Sequence, residues 1–147
     1  SCSYLKVFRN GCIEAVEASM LRVADNQPPV ISSGGYEKEL LNALPRFLSI
    51  QKQLGVEPPV FVMVSLLGVY DYLVKPAGTT DFDPLWWMDQ AKPIDRDTLL
   101  LPEIVINAFE PNPAEAMRPI FDAIWNASGW PRSLNYDDEG NWLKKQA

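Results

Sequence analysis

The spacing of apolar residues at the start of the chain predicts a β-hairpin. Two β-rich runs within residues 4–20 flank Asn10-Gly11, a dipeptide that favours a tight type I′ turn. A two-residue turn at this dipeptide would place Leu5 opposite Val16. The first element of the chain is therefore expected to be a pair of antiparallel strands.

A polar, proline-containing link (25–29) separates this hairpin from a predicted helix. The segment 32–35, Ser-Ser-Gly-Gly, could bind an anion through its backbone N–H groups or serve only as a cap and turn. No glycine-rich phosphate motif accompanies it, which favours the cap. Apolar residues then follow helical spacing up to an expected stop at Gly55: Leu40, Leu44, Phe47, Leu48 and Leu54.

The apolar pattern predicts two further strand regions between residues 60 and 106. Residues 60–74 are rich in Val, Phe, Leu and Tyr, and Gly68 within them suggests a bulge or a bend. A long loop, 75–97, connects this first strand region to a strand at 99–106. Pro102 makes that strand either an edge strand or a bulged one.

A second helix is predicted after these strands. Asn112 is a good cap, Pro113 suits the first helical position, and Glu115 can reach back to the cap. Gly129 is the expected end of the helix. Its predicted apolar face consists of Met117, Ile120, Phe121, Ile124 and Trp125.

The order strand-strand-helix thus occurs twice. Pro45 and Pro119 lie inside the two helices, and each is followed ten positions later by a glycine, Gly55 or Gly129. These offsets fit either a tandem repeat or coincidence in a proline-rich chain. Both interpretations predict a single α+β domain over 1–147, with one mostly antiparallel sheet covered by two kinked helices.

Composition narrows the classes of function. The 147 residues include no histidine, which excludes Ser-His-Asp and Cys-His catalysis and histidine-containing zinc sites. The net charge of −6 works against non-specific binding to a phosphate backbone. No apolar run is long enough for a membrane span, and no signal peptide is visible. The sequence indicates no cofactor.

The two cysteines indicate a reducing compartment. In the predicted hairpin register Cys2 lies opposite Ser19 and far from Cys12, which argues against a disulfide. Two free thiols are typical of a cytoplasmic protein. Neither thiol has a histidine partner that could make it a catalytic nucleophile.

Three segments carry a family resemblance: Phe-Arg-Asn-Gly-Cys-Ile-Glu-Ala-Val at 8–16, Gly-Tyr-Glu-Lys-Glu-Leu at 35–40 and Trp-Pro-Arg-Ser-Leu-Asn-Tyr at 130–136. Together they resemble the C-terminal portion of bacterial Schlafen-like proteins. The resemblance implies a fragment of a longer protein, with an AlbA-like DNA-binding domain upstream through which any nucleic acid would be bound. It implies no catalytic residue in this portion.

Acidic residues of the long loop are candidate metal ligands. Asp81-Phe82-Asp83 and Asp95-Arg96-Asp97 could supply oxygen ligands to Mg²⁺ or Ca²⁺. Their spacing does not match an EF-hand loop. The competing and favoured interpretation is that these carboxylates are solvated or cap turns.

Aromatic residues outside the predicted strands and helices are candidate interaction residues. Tryptophan and tyrosine are enriched at protein interfaces, although rings in long loops also fold back to close a core. Arg132 could bind a carboxylate or phosphate, but a salt bridge that holds the C-terminal segment is favoured. The candidates are Trp86, Trp87, Trp130, Arg132, Tyr136 and Trp142.

Two functions of different class follow from these features. The favoured one is a non-catalytic accessory domain that binds a protein partner or itself, and it predicts a contiguous apolar surface patch. The alternative is a metal-dependent enzyme or nucleotide-binding domain, in which the carboxylates of the Asp81–Asp97 loop would converge in one cleft.

Overall fold

The chain folds as an α+β domain, as predicted. The computed structural model describes residues 3–21, 23, 28–79 and 85–143. In chain order the elements are β1 (Tyr4–Val7), β2 (Ile13–Val16), β3 (Val30–Ser32), α1 (Ser33–Gln53), β4 (Val60–Val62), β5 (Ser65–Leu67), β6 (Leu73–Lys75), α2 (Leu85–Met88), β7 (Thr98–Leu100), β8 (Ile104–Ile106) and α3 (Pro113–Ala127).

The N-terminal hairpin forms, but its predicted register is wrong by one residue. Leu5 pairs with Ala15 instead of Val16. The cause is the turn, which uses a three-residue loop closed by a hydrogen bond from Phe8 N to Cys12 O of 2.8 Å. Gly11 ends this loop at φ 84°, the left-handed conformation of a bulge that follows a tight turn.

The longest ladder joins the two predicted strand segments, 60–74 and 99–106, and a bulge divides it into two paired stretches. β4 pairs with β8 and β5 with β7, both antiparallel. Between the paired stretches, residues 63–64 on one strand lie opposite residues 101–103 on the other, so the second strand carries a bulge at Pro102. Of the two alternatives predicted for Pro102, an edge strand or a bulged strand, the register shows the bulge. Beyond β5 the ladder continues irregularly, with Val69 N donating to Asp97 O at 3.0 Å.

The predicted single sheet is not confirmed. The described residues form four two-stranded sheets, β1-β2, β3-β6, β4-β8 and β5-β7, and β3-β6 is parallel. The strands are short, and the connections between paired strands differ between the two halves. β1 and β2 are joined by a tight turn, whereas β5 and β7 are separated by a segment that contains β6 and α2.

The two long helices match their predicted ends. Pro45 and Pro119 lie within α1 and α3. Both helices end in the same motif: the N–H of Val56 bonds to Gln51 O at 3.0 Å, and that of Trp130 to Trp125 O at 3.1 Å. The residue before each of these donors, Gly55 or Gly129, has a φ of 80°, as this termination motif requires.

The N-termini of the helices differ from each other. The side chain of Asn112 accepts hydrogen bonds from Ala114 N at 3.1 Å and Glu115 N at 3.4 Å, which confirms the predicted cap of α3. Ser32 precedes α1 without a capping hydrogen bond from its side chain, so the side-chain cap favoured for the segment 32–35 is not found. Most of the first turn of α1 is buried, and the buried Glu37 comes directly after it.

The core lies between α1, α3 and the inner faces of the short sheets. Every residue of the predicted apolar face of α3 is at most 1% exposed. The C-terminal segment after α3 closes the core, with Trp130 and Tyr136 buried in it. None of the helices in the described residues is long and apolar enough to cross a membrane.

Candidate functional site

The acidic loop does not assemble a metal site from its described residues. Asp95 and Asp97 are exposed, and Asp81 and Asp83 lie outside the described residues. Asp95 bonds to the adjacent Arg96 at 2.8 Å, and this hydrogen bond and charge hold the pKa of Asp95 below its usual value. No group of three or more metal-binding side chains occurs among the residues that the structure describes.

The aromatic candidates divide between the core and the surface. Trp87, Trp130 and Tyr136 are at most 5% exposed and pack inside the domain. Trp142 is half-buried, whereas Trp86 remains 42% exposed. The ring of Trp86 packs edge-on against Trp130, with 6.3 Å between the ring centroids.

Arg132 forms a salt bridge, but not the predicted one that would hold the C-terminal segment to the rest of the domain. Its guanidinium donates to Tyr136 O at 3.1 Å and forms a salt bridge with Asp138 at 3.4 Å. These contacts join positions within the C-terminal segment itself. The guanidinium is therefore already engaged in holding the shape of this segment.

Glu37 is the centre of a buried polar cluster that the sequence analysis did not single out. Its carboxylate is fully buried and accepts hydrogen bonds from α1, α3 and the C-terminal segment. Oε1 accepts from Tyr36 at 3.4 Å, Trp125 at 2.8 Å and Ser133 at 2.8 Å. Oε2 accepts from Asn135 at 2.9 Å and Trp142 at 2.7 Å.

The described side chains that donate to this carboxylate are all neutral. None of the salt bridges among the described residues involves Glu37. Burial, followed by the charge of Glu37, raises the pKa of the Tyr36 hydroxyl, and the same two causes raise the pKa of Tyr136. The hydrogen bonds of this carboxylate hold three segments together. Because the carboxylate is closed to solvent, it is not placed to meet a substrate.

An apolar surface covers the outer side of the longest ladder. We call it the apolar face, and it consists of Phe61, Met63, Leu67, Leu100 and Val105, which are 54, 72, 67, 77 and 47% exposed. Phe61 lies opposite Val105 in the β4-β8 register. The intervening residues point inward, since Val60, Leu99 and Ile104 are at most 8% exposed. Both sides of this ladder are therefore apolar, and the described residues of the chain cover only one of them.

A groove continues the apolar face toward the N-terminal hairpin. It encloses about 300 Å³ between β2, α1 and β4. Ile13 and Ala15 line it on the hairpin side, Phe47 lies on the helix, and Phe61 and Met63 line it on the strand side. Phe61 and Met63 thus belong to both the groove and the apolar face.

The groove and face are suited to binding and carry little reactive chemistry. Cys12 is the one titratable side chain among the described residues that line the groove, and it is a free, exposed thiol. A concave apolar surface with few polar groups holds apolar side chains by excluding water. Sequence reasoning missed this surface, although the unbroken apolar run at 60–64 was a signal, because such runs are typical of strands covered on both faces.

Comparison of the chain with protein-family models, with curated proteins and with solved structures finds no match.

Proposed function

We propose that this chain is a non-catalytic protein-interaction domain, and that its partner binds on the apolar face and in the adjoining groove. The observation that carries the proposal is the set of large apolar side chains on the outer side of the β4-β8 and β5-β7 ladders. Soluble monomers rarely expose contiguous apolar patches of this kind unless the patch is functional. A partner that covered the face would remove these side chains from water.

The energetics of such a contact favour a few central anchors. Full burial of one exposed leucine or methionine is worth about 1.5–3 kcal/mol. Leu100 and Met63 are among the most exposed apolar residues of the face, so each has much apolar area still to bury. The groove beside Met63 offers a concavity for a side chain of the partner, as interface anchors require.

An accessory role within a larger bacterial, DNA-associated, cytoplasmic protein is part of the same proposal. Its support is the resemblance of segments 8–16, 35–40 and 130–136 to Schlafen-like proteins. The exposed free thiol of Cys12 is in keeping with a reducing compartment. In this role the domain would bind a protein, and any DNA would be bound elsewhere in the polypeptide.

The test is selection of peptides from a random display library on the immobilised domain. We expect Leu100→Ser and Phe61→Ser each to weaken the selected peptides by at least about tenfold. Leu54→Ser is the matched control, because Leu54 is 55% exposed at the end of α1 and lies outside the face. Circular dichroism of each variant establishes that it is folded.

Two results would contradict the proposal. One is a library that yields no binder to the folded domain. The other is a set of binders that tolerate both face substitutions, since their binding surface must then lie elsewhere.

A further inference from the structure

The strands that carry the apolar face are bordered by acidic side chains. Within the segments 60–72 and 94–106 the carboxylates are Asp71, Asp95, Asp97 and Glu103, and all four are exposed. Arg96 is the one cation in these two segments. The border of the face therefore carries an excess of negative charge.

Arg96 does little to offset this excess at a distance. Its guanidinium donates to Asp95 at 2.8 Å, so its positive charge mainly balances the charge of Asp95. Asp97 and Glu103 lie at the two ends of the segment that contains Leu100. An exposed carboxylate thus lies on each side of Leu100 along the chain.

From this arrangement we propose that the partner segment is basic and amphipathic, with apolar side chains that cover the face and lysines or arginines that meet Asp97 and Glu103. This inference rests on the proposed function and names the chemistry of its partner. Complementary charges around an apolar contact select the partner and speed association more than they add affinity. Specificity would come from the border, and most of the affinity from the face.

The same charges disfavour other occupants. A second copy that packed face to face would bring two acidic borders together, and juxtaposed like charges oppose association. Anionic lipid surfaces and nucleic acid attract basic residues, not acidic ones. A basic protein segment is the occupant whose charge matches this border.

The test uses two synthetic peptides with the same Leu-Val-Leu-Val core, one flanked by lysines and the other by glutamates. Binding to the intact chain is measured by fluorescence anisotropy at about 0.05 M and about 0.5 M salt. We expect the lysine peptide to bind about tenfold more tightly at low salt, and the difference to shrink at high salt. The double variant Asp97→Asn/Glu103→Gln should lose most of the difference.

Control variants separate the two proposals. Glu39→Gln removes an exposed carboxylate on α1, away from the border, and should leave the preference for lysine unchanged. Leu100→Ser should weaken both peptides.

Several outcomes would overturn the basic-partner inference alone. The first is equal binding of the two peptides, or tighter binding of the glutamate peptide, with both lost in Leu100→Ser. The second is a dimer in sedimentation experiments that Leu100→Ser dissociates. Failure of the lysine peptide to bind would also overturn it, while the interaction role would be decided by the library selection.

Discussion

The Glu37 cluster and the apolar face reverse the usual placement of polar and apolar side chains. Glu37 is fully buried, whereas Leu100 is 77% exposed. The carboxylate tolerates burial because five side-chain donors from three segments replace water around it. No comparable set of neighbours among the described residues shields Leu100 from water.

The Glu37 cluster has all its partners within the domain, whereas the apolar face does not. Every hydrogen bond that Glu37 needs comes from this chain, so its role ends with holding α1, α3 and the C-terminal segment together. The apolar face lacks its second layer among the described residues. We therefore expect substitutions in the cluster to change stability, and substitutions in the face to change binding.

The largest expected effect is from Glu37→Gln. The amide keeps the size of the side chain but places an N–H₂ group against two of the existing donors, leaving these buried donors without an acceptor. We expect a loss of about 3–5 kcal/mol in the free energy of unfolding, measured by urea denaturation.

The control for this variant is Glu39→Gln, two positions along the same helix and exposed. It should change stability by less than about 0.5 kcal/mol. A Glu37→Gln protein as stable as its control would show that the cluster does not hold the segments together.

The next effect compares adjacent leucines on opposite sides of β7. Leu99 is 8% exposed and Leu100 is 77% exposed. Leu99→Ala should cost about 2–5 kcal/mol of stability, because it opens a cavity in the core. Leu100→Ala should cost less than about 0.5 kcal/mol. Thermal melts of the two variants measure the difference, and equal losses would mean that the face is already covered.

The remaining expected effect, which is absent at neutral pH, is a loss of stability at alkaline pH. The pKa values of Tyr36 and Tyr136 are raised in the folded protein by burial and by the charge of Glu37. Above about pH 10 the unfolded chain releases these protons while the folded protein retains them, so stability falls as pH rises. We expect a slope of about 1.4 kcal/mol per pH unit for each tyrosine.

Tyr36→Phe and Tyr136→Phe should each flatten this slope in denaturation measured between about pH 9 and pH 12. Tyr70→Phe is the control, since Tyr70 is 57% exposed. An alkaline slope that survives in the double variant Tyr36→Phe/Tyr136→Phe would rule out these tyrosines as its source.

Local signals in the sequence predicted much of the fold. The cap at Asn112, the glycines that end both long helices and the bulge at Pro102 each depend on a few neighbouring residues, and each is found. The buried side of α3 followed from the helical spacing of its apolar residues alone. These features are decided by backbone conformation and by spacing, which a single sequence displays.

Features that depend on distant partners were not predictable in this way. The hairpin register depended on whether the loop before Cys12 began at Asn10 or at Arg9, and Asn10-Gly11 fits either choice. Glu37 resembles any other helical glutamate until Trp125 and Trp142, far along the chain, supply its hydrogen bonds. The strand at 60–64 showed that both of its sides are apolar, but not which side would remain uncovered.

The bulge at Pro102 also determines how this protein tolerates changes in length. Leu100 and Val105 are an odd number of positions apart, so a regular strand would put them on opposite sides of the ladder. The extra residue restores them to the same side, and it returns Leu99 and Ile104 together to the core. Deletion of Pro102 would remove the extra residue and leave a regular ladder with the same side chains on each side, because two residues would then lie opposite residues 63–64. Insertion of a further residue at 101–103 would instead need a larger bulge or would exchange core and surface on one side of the insertion. The segment should therefore tolerate loss of one residue better than gain of one.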